Sequence, residues 1–481
     1  MALSKAGSLN LINATPFDWS KIYDHSYQMS EWDFPEQVKS GDIVSVEVDW
    51  SVLGSREDSA GEASYSFTTD TGEDAELQFK ATYDGNRQFH VLYENSSTFG
   101  NPPGSTADLQ WSKDAPNPYV FSGQQQASFA STNPPSDWMH QNLPSIGCQT
   151  LSRLCLPASH NSGMSSLNGK TAFATNENTL CQNTDLLGQL SAGFRYFDIR
   201  PVIASGSFAT GHYSSVSADG IGIDLPPLPS GLPDFISNPI DDITDGSFQG
   251  GNGQSIASII SQINDFLANN WELVIINLSH TMDTDHDYVR LSQDQLEDLF
   301  EQLLGLKHRF IAPQDVTDLT ALPLEDFIKD GPAVLIILDN AQAGEDMKPA
   351  AFADQGFYTD AHFPVYNQFA NTDNVDDMSR DQLKKMNDEA PQKNDGGLFL
   401  LSWTLTTPLD IRASSMAANA RLFADVWPVT RDKGKADRVF PNLVMVDGVG
   451  RKGSAIKAGG VAALCMAVNS WVNDDCRAKK R

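Results

Sequence analysis

Three short stretches between positions 154 and 212 end an apolar run in ionisable residues: LCLPASHNSG, FRYFDIRPV and SFATGHYS. Leu154 and Leu156 lead to His160 and Asn161, Phe194, Tyr196 and Phe197 lead to Asp198 and Arg200, and Phe208 leads to Gly211 and His212. Reactive side chains at the carboxyl ends of buried strands are how α/β folds build sites. Two histidines and an arginine supply a general base, a general acid and an anion clamp. Asp198 and Arg200 are two apart on a strand and share a face, where a charged pair needs a rim position or partners. Phosphate suits the fork of Arg200; an internal Asp–Arg salt bridge is the competing reading. Arg195 faces the other side and reads as structural or surface. The glycine before His212 permits close backbone approach to a ligand.

Further candidates close later apolar runs: His280 in VIINLSH, Asp339 in LIILDN, Trp403 in LSWTL and Asp447 in VMVDGVG. In a closed barrel the last strand lies beside the first, so Asp447 is within reach of His160. An aspartate there holds an imidazole in one tautomer and stabilises its charged form.

The elements that must position these residues alternate from Cys148 onward, strand then helix, over about 330 residues. SIASIISQINDFLANN carries Ile256, Ile259, Ile260, Ile263 and Leu267 at helical spacing, and SQDQLEDLFEQLLGL reads as a helix capped by Ser292. ELVIINLSH, AVLIILDN, GLFLLSWTL and PNLVMVDGVG read as buried strands, with SFATGHY as the third strand of the barrel and a long Gly/Pro/Asp loop over Ser214 to Gly253. DNVDDMSRDQLKKMNDEA reads as a solvated charged helix or loop. Residues 1–122 read as a β-sandwich: Val44, Val46, Val48 and Trp50 alternate, as do Leu77 and Phe79, and Phe89, Val91 and Tyr93. Trp19, Tyr23, Tyr27, Trp32 and Phe34 either fill a small core or form a lipid- or sugar-binding face, the core being the expectation. Residues 123–147, rich in Gln, Ser, Asn and Pro, read as a linker. The expected architecture is α/β: a TIM-type (β/α) barrel over 148–481, preceded by a small N-terminal β-sandwich.

LPASHNSG, FRYFDIRP and the later Gly-His resemble the X-region of phosphatidylinositol-specific phospholipase C, within the PLC-like phosphodiesterases. The resemblance is specific over Leu154 to His212, continues more weakly to about Ser470 and covers none of the first 120 residues. It implies a phosphoric diester hydrolase with His160 as base, His212 as acid, Arg200 on the phosphoryl oxygens, Asp198 positioning Arg200 and Asp447 orienting His160. Asn161, His280 and Trp403 become candidate substrate contacts; His280 aligns loosely with a lysine of the bacterial enzymes. Metal-dependent relatives carry a second carboxylate two residues after the first, where this sequence has Arg200, which implies metal-independent chemistry and no cofactor. Bacterial relatives carry aspartate directly after the first histidine; here Asn161 orients His212 or holds phosphate, with less support for a charged ring. The implied substrate is a phospholipid or small phosphodiester, with peripheral membrane contact. The alternatives are a metal-dependent phosphodiesterase using Asn161 and Asp198, and a non-catalytic lipid- or sugar-binding protein.

Composition narrows the partners. A net charge of −29 argues against nucleic acid and against steering toward anionic membranes. No run of 18 apolar residues exists to span a membrane, and the first residues lack a signal-like apolar stretch, so the expected location is cytoplasmic or non-classically secreted. Cys148, Cys155, Cys181, Cys465 and Cys476 lack zinc-site spacing and are expected as reduced buried thiols, with a disulfide from Cys148 or Cys155 to Cys181 as the alternative.

Overall fold

Short apolar runs with both faces buried suit interior parallel strands; six such runs and two shorter, more exposed strands form one sheet. They are β1 Leu156–Ser159, β2 Tyr196–Ile199, β3 Leu273–Leu278, β4 Ala333–Leu338, β5 Phe357–Thr359, β6 Val365–Asn367, β7 Leu398–Trp403 and β8 Leu443–Val446. Their order is β5-β4-β3-β2-β1-β8-β7-β6, parallel at each neighbouring pair. This is the circular order of a TIM-like barrel, curled with an opening between β5 and β6. The reason lies in the connection: residues 360–364 are too few for the dozen or more that a parallel crossover needs. In this computed structural model the described residues are 7–51, 56–125, 128–171, 174–216, 247–340, 350–389, 396–407, 410–450 and 459–479.

The helices follow their sequence signals. They are α1 Trp138–Ile146, α2 Leu186–Ser191, α3 Ile256–Leu267, α4 Gln293–Leu303, α5 Val375–Asp388, α6 Ile411–Asp437 and α7 Gly460–Val472. All five spaced apolar residues of α3 are buried, and Ser292 closes a capping box with Gln295 at the start of α4. The charged stretch forms α5, which is amphipathic rather than wholly solvated, burying Met378 and Met386.

SFATGHY is not a barrel strand. Ser207–Val216 belongs to a separate four-stranded sheet with Pro201–Ala204, Ser247–Ser255 and Met282–Asp283. That sheet springs from the carboxyl ends of β2 and β3, so the expected long loop is partly strand; its residues 217–246 lie outside the described residues. The short β5 and β6 supply strands that the sequence reading lacked.

In the first 131 residues two sheets share one apolar core. One holds Gly7–Ala14, Ile43–Trp50 and Asn117–Ser122; the other holds Trp19–Tyr27, Ala60–Thr68, Asp74–Tyr83 and Arg87–Tyr93. Leu9, Val46, Val48 and Trp50 meet Tyr65, Phe67, Leu77 and Phe79 there. The aromatic segment divides: Trp19 and Phe34 fill this core, while Tyr23 and Tyr27 are exposed.

Residues 123–147 are not an extended linker. Ala130–Ser131 pairs with Asn117–Ser122, α1 occupies 138–146, and the Trp138 ring is fully buried. Low apolar content hid this structure, because a few anchors carry it. Nor are the two β-sheets remote from the barrel: Ile12, Ala14 and Val120 share a core with Val461, Leu464 and Val468 of α7. This explains why α7 is buried nearly all round. The cysteine expectation is corrected as well. Cys148 and Cys476 form a disulfide, and Cys155, Cys181 and Cys465 are free and buried. Three hundred residues of intervening sequence gave no spacing signal for that pair. No helix among the described residues is long and apolar enough to cross a membrane.

Arg195 is structural, and buried rather than surface. Its Nε donates to Glu272 Oε2 at 2.6 Å, its remaining N–H groups reach the carbonyls of Leu190, Phe194 and Ser136, and both partners are wholly enclosed. Removing one partner strands the other charge. Arg195→Met is expected to lower unfolding free energy by about 3–5 kcal/mol, with a milder loss in Arg195→Met/Glu272→Leu. Urea unfolding of the three proteins measures this; equal losses in single and double variants would contradict it.

Candidate active site

Four strand ends and one hairpin converge at the carboxyl-terminal rim. β1 and β8 pair in register, Ser159 opposite Val446, and the His160 amide donates to the Val446 carbonyl at 3.1 Å. That register sets His160 beside Asp447, whose Oδ1 lies 2.8 Å from His160 Nδ1. Arg200 Nη2 lies 2.8 Å from His160 Nε2. A guanidinium only donates, so Nε2 is the acceptor and the ring proton sits on Nδ1, shared with Asp447. The tautomer is thus fixed from both sides, with the Nε2 lone pair facing a displaceable cation.

Asp198, at the end of β2, is the hub beneath. Its Oδ2 accepts from the Asn161 backbone N–H at 3.0 Å and from Arg200 Nε at 3.1 Å, and its Oδ1 accepts from Ser279 Oγ at 2.5 Å. Burial alone would raise this carboxyl, but the Arg200 charge, with His160, His280 and the Ser279 hydroxyl, holds it below the usual carboxylate range. Asp198 and Arg200 therefore form the internal salt bridge, and Arg200 also reaches the His160 ring. Arg200 keeps 17% of its side chain exposed at the rim.

His212 reaches the cluster from the hairpin because the Gly211 amide donates to the Arg200 carbonyl at 3.0 Å. Its glycine neighbour serves the packing rather than a ligand: a Cβ at Gly211 would lie 2.6 Å from Val202 Cγ1. Gly163 plays the matching part on the other side, where a Cβ would lie 2.3 Å from Thr210 Oγ1 and push the His160 loop off the hairpin. His212 Nδ1 donates to the Thr179 carbonyl at 3.0 Å, so the neutral ring carries its lone pair on Nε2. Burial, then the Arg200 charge, pushes its pKa down to about 4, against the pull of the Thr179 carbonyl.

His280 stands in the same group. Ser279 Oγ gives its proton to Asp198 and accepts from His280 Nδ1 at 3.0 Å. Burial and Arg200 push the His280 pKa down to about 3, opposed by Asp198. Its φ of +45° is a costly backbone state for histidine, retained at this rim. Asn161 also has positive φ, +42°, a conformation asparagine tolerates well. Its side chain is fully buried, and neither amide atom has a hydrogen-bond partner. Such a group costs free energy until something polar arrives.

Trp403 does not join the cluster. Its ring is fully buried in the core and its Nε1 donates to the Ala418 carbonyl of α6 at 2.7 Å. An aromatic at a strand's end can point into the helix layer as readily as to the rim, and the alternation does not say which. Asp339 follows β4, one strand farther from His160 than His280.

Sequence reasoning missed Ser279, Gln182 and Cys181. Gln182 Nε2 donates to the His160 carbonyl at 2.6 Å, and its Oε1 accepts from the Val449 amide at 3.0 Å, clamping the loops after β1 and β8 together. Cys181 Sγ lies 3.7 Å from His212 Nδ1. Ser279 had a signal, since it adjoins His280 where an apolar strand ends; Gln182 and Cys181 lie in a loop with no periodicity.

No protein-family profile matches the chain, and no curated protein does. Among solved structures the chain is similar to a mutant of the phosphatidylinositol-specific phospholipase C of Staphylococcus aureus, at 13% identity and a TM-score of 0.43, over 69% of this chain and 97% of that one. It is similar also to the phosphatidylinositol-specific phospholipase C of Listeria monocytogenes, at 14% identity and a TM-score of 0.40, over 66% of this chain and 95% of that one. Likenesses of this degree carry no argument about what the chain does.

The depressed histidines have a measurable consequence. Between about pH 4 and 6.5 His212 is neutral in the fold and charged in the unfolded chain. The unfolded state then binds more protons, so this contribution to stability is full above about pH 6.5 and is lost as pH falls toward 4. Long-range 1H–15N correlation spectra should show His212 and His280 as neutral Nδ1–H tautomers at pH 6. A charged ring at either position at that pH would overturn the assignment.

Proposed function

We propose that the chain is a phosphoric diester hydrolase of the phosphatidylinositol-specific phospholipase C type, acting without a metal. The observation that carries this reading is the Asp447–His160–Arg200–Asp198 chain of hydrogen bonds at the mouth of the barrel. It couples an oriented base to a cation matched to phosphate.

The chemistry follows from who holds which proton. A phosphodiester oxygen draws the Arg200 guanidinium toward itself and releases His160 Nε2, until then capped by Arg200. That nitrogen takes the proton from a hydroxyl next to the phosphate, and Asp447 stabilises the imidazolium. The freed oxygen attacks phosphorus, Arg200 carries the charge growing on the phosphoryl oxygens, and the bond to the leaving oxygen breaks. His212 supplies the leaving oxygen's proton from Nε2. Burial and Arg200 keep that ring neutral in the free site, so it takes up a proton from solvent when the negative phosphate binds and favours its charged form. The product is a cyclic phosphate. Asn161, with its unpartnered amide, suits a phosphate oxygen or substrate hydroxyl, and His280 Nε2 is the second polar contact.

The metal-dependent alternative using Asn161 and Asp198 fits poorly. Both Asp198 oxygens already accept from protein donors, and a cation there meets the Arg200 charge. At about 4 Å that repulsion is on the order of 4 kcal/mol at an effective dielectric of 20. Peripheral contact with a lipid surface follows from the substrate class.

Turnover of phosphatidylinositol vesicles and of a soluble phosphodiester, with and without chelator, tests the reading. Activity should survive the chelator. His160→Ala and His212→Ala should each lose at least about 100-fold. Arg200→Ala should lose most activity, and Arg200→Lys should recover only part, since lysine keeps the charge without the fork. Loss in chelator with recovery on added calcium would make Asn161 and Asp198 ligands and end the metal-free mechanism.

A further inference from the structure

We propose that Cys181, His160 and Asp447 form a site for a thiophilic divalent cation, of the Zn2+ or Cd2+ class, and that its occupation switches the catalytic base off. The site itself stands on geometry; only the inhibition rests on the phosphodiesterase reading.

A ring nitrogen of His160, the Cys181 sulfur and an Asp447 carboxylate oxygen lie within 4.8 Å of one another. In a tetrahedral zinc site with bonds of about 2.0–2.3 Å, ligand atoms stand about 3.3–3.8 Å apart. Closing the three therefore asks for a movement of about one ångström, less than a side-chain rotation supplies. Thiolate, imidazole and carboxylate with one open position are a donor set zinc favours. The fourth position has a ready neighbour in the side-chain amide of Asn161, which is fully buried beside the cluster. Calcium and magnesium fit badly here, since both seek oxygen shells that this cluster lacks.

Charge is consistent with the softer metal. Thiolate and carboxylate together offset a divalent ion, and this pair of anionic ligands opposes the repulsion from Arg200, 2.8 Å from His160 Nε2, that tells against a cation on Asn161 and Asp198. Burial, then the Asp447 charge, keeps the free thiol protonated, so binding sends that proton to solvent. Whichever nitrogen of His160 the ion takes, the base is lost. Coordination at Nδ1 breaks the hydrogen bond to Asp447 and leaves the neutral ring's proton on Nε2; coordination at Nε2 itself takes the lone pair that accepts the substrate's proton.

The test uses the full chain, stripped with chelator and then titrated with Cd2+ and Zn2+. Cd2+ should bind with a thiolate-to-metal absorption band, and Zn2+ should inhibit turnover reversibly. Cys181→Ser should lose the band, weaken binding at least tenfold, the lower end for loss of a supporting metal contact, and leave whatever turnover it retains insensitive to zinc. Asp447→Asn provides a second check on binding alone, since it should weaken Cd2+ whatever its activity. A band that persists in Cys181→Ser, placing the ion on Cys155 and Cys465, overturns the proposal, as does a chain that binds no Cd2+. Cys181-dependent binding in a protein without phosphodiesterase activity upholds the site and rejects the activity instead.

Discussion

The pairing of the first barrel strand with the last is the constraint on which the site depends. His160 and Asp447 are 287 residues apart in sequence, yet 2.8 Å apart in space. Side chains cannot hold that distance by themselves; the β1–β8 register holds it, with the strands packed on both faces. Asn419 of α6 adds to it by donating to the Asp447 carbonyl at 2.8 Å, and Gln182 ties both loops from beneath. Helix layer, strand layer and loop therefore converge on one imidazole.

Charge in this cluster is arranged in sequence rather than pooled. Asp198 is buried at little cost because three donors meet its two oxygens. Arg200 divides itself between that carboxylate and a neutral ring, a weaker acceptor than phosphate. The cation is thus anchored at one end and exchangeable at the other. The net charge of −29 repels anionic surfaces at range, so the proposed anionic substrate would be held by this local cation and by short-range contacts, not by steering.

The barrel strands, the α3 face and the Ser292 cap were legible because burial on both faces, helical spacing and capping leave marks within a few residues. So were His160, Asp198, Arg200 and Asp447, each placed where an apolar run stops. The hairpin sheet carrying His212 was not, since SFATGHY has the same alternation whether it closes a barrel or leaves it. Trp403 failed for a related reason: periodicity gives the face of a strand, not which layer waits there. The disulfide and the Gln182 clamp are long-range pairings, set by topology and invisible to any local pattern. The quiet composition of 123–147 concealed a helix because only a few apolar residues, Trp138, Met139 and Ile146, anchor it.

The Cys148–Cys476 bridge spans 328 residues with Cα atoms 5.8 Å apart. Consecutive residues in any chain are about 3.8 Å apart. The barrel's two ends therefore nearly meet, and the covalent bond makes its backbone a closed circuit. The start and finish of that circuit are an accident of reading direction as far as the fold is concerned, and circular permutation is open to it. The gap between β5 and β6 is where a rewired chain would lose least, for it is the one interruption in the ring of parallel strands among the described residues. A single peptide-bond break elsewhere in the circuit would leave two pieces still tethered through sulfur.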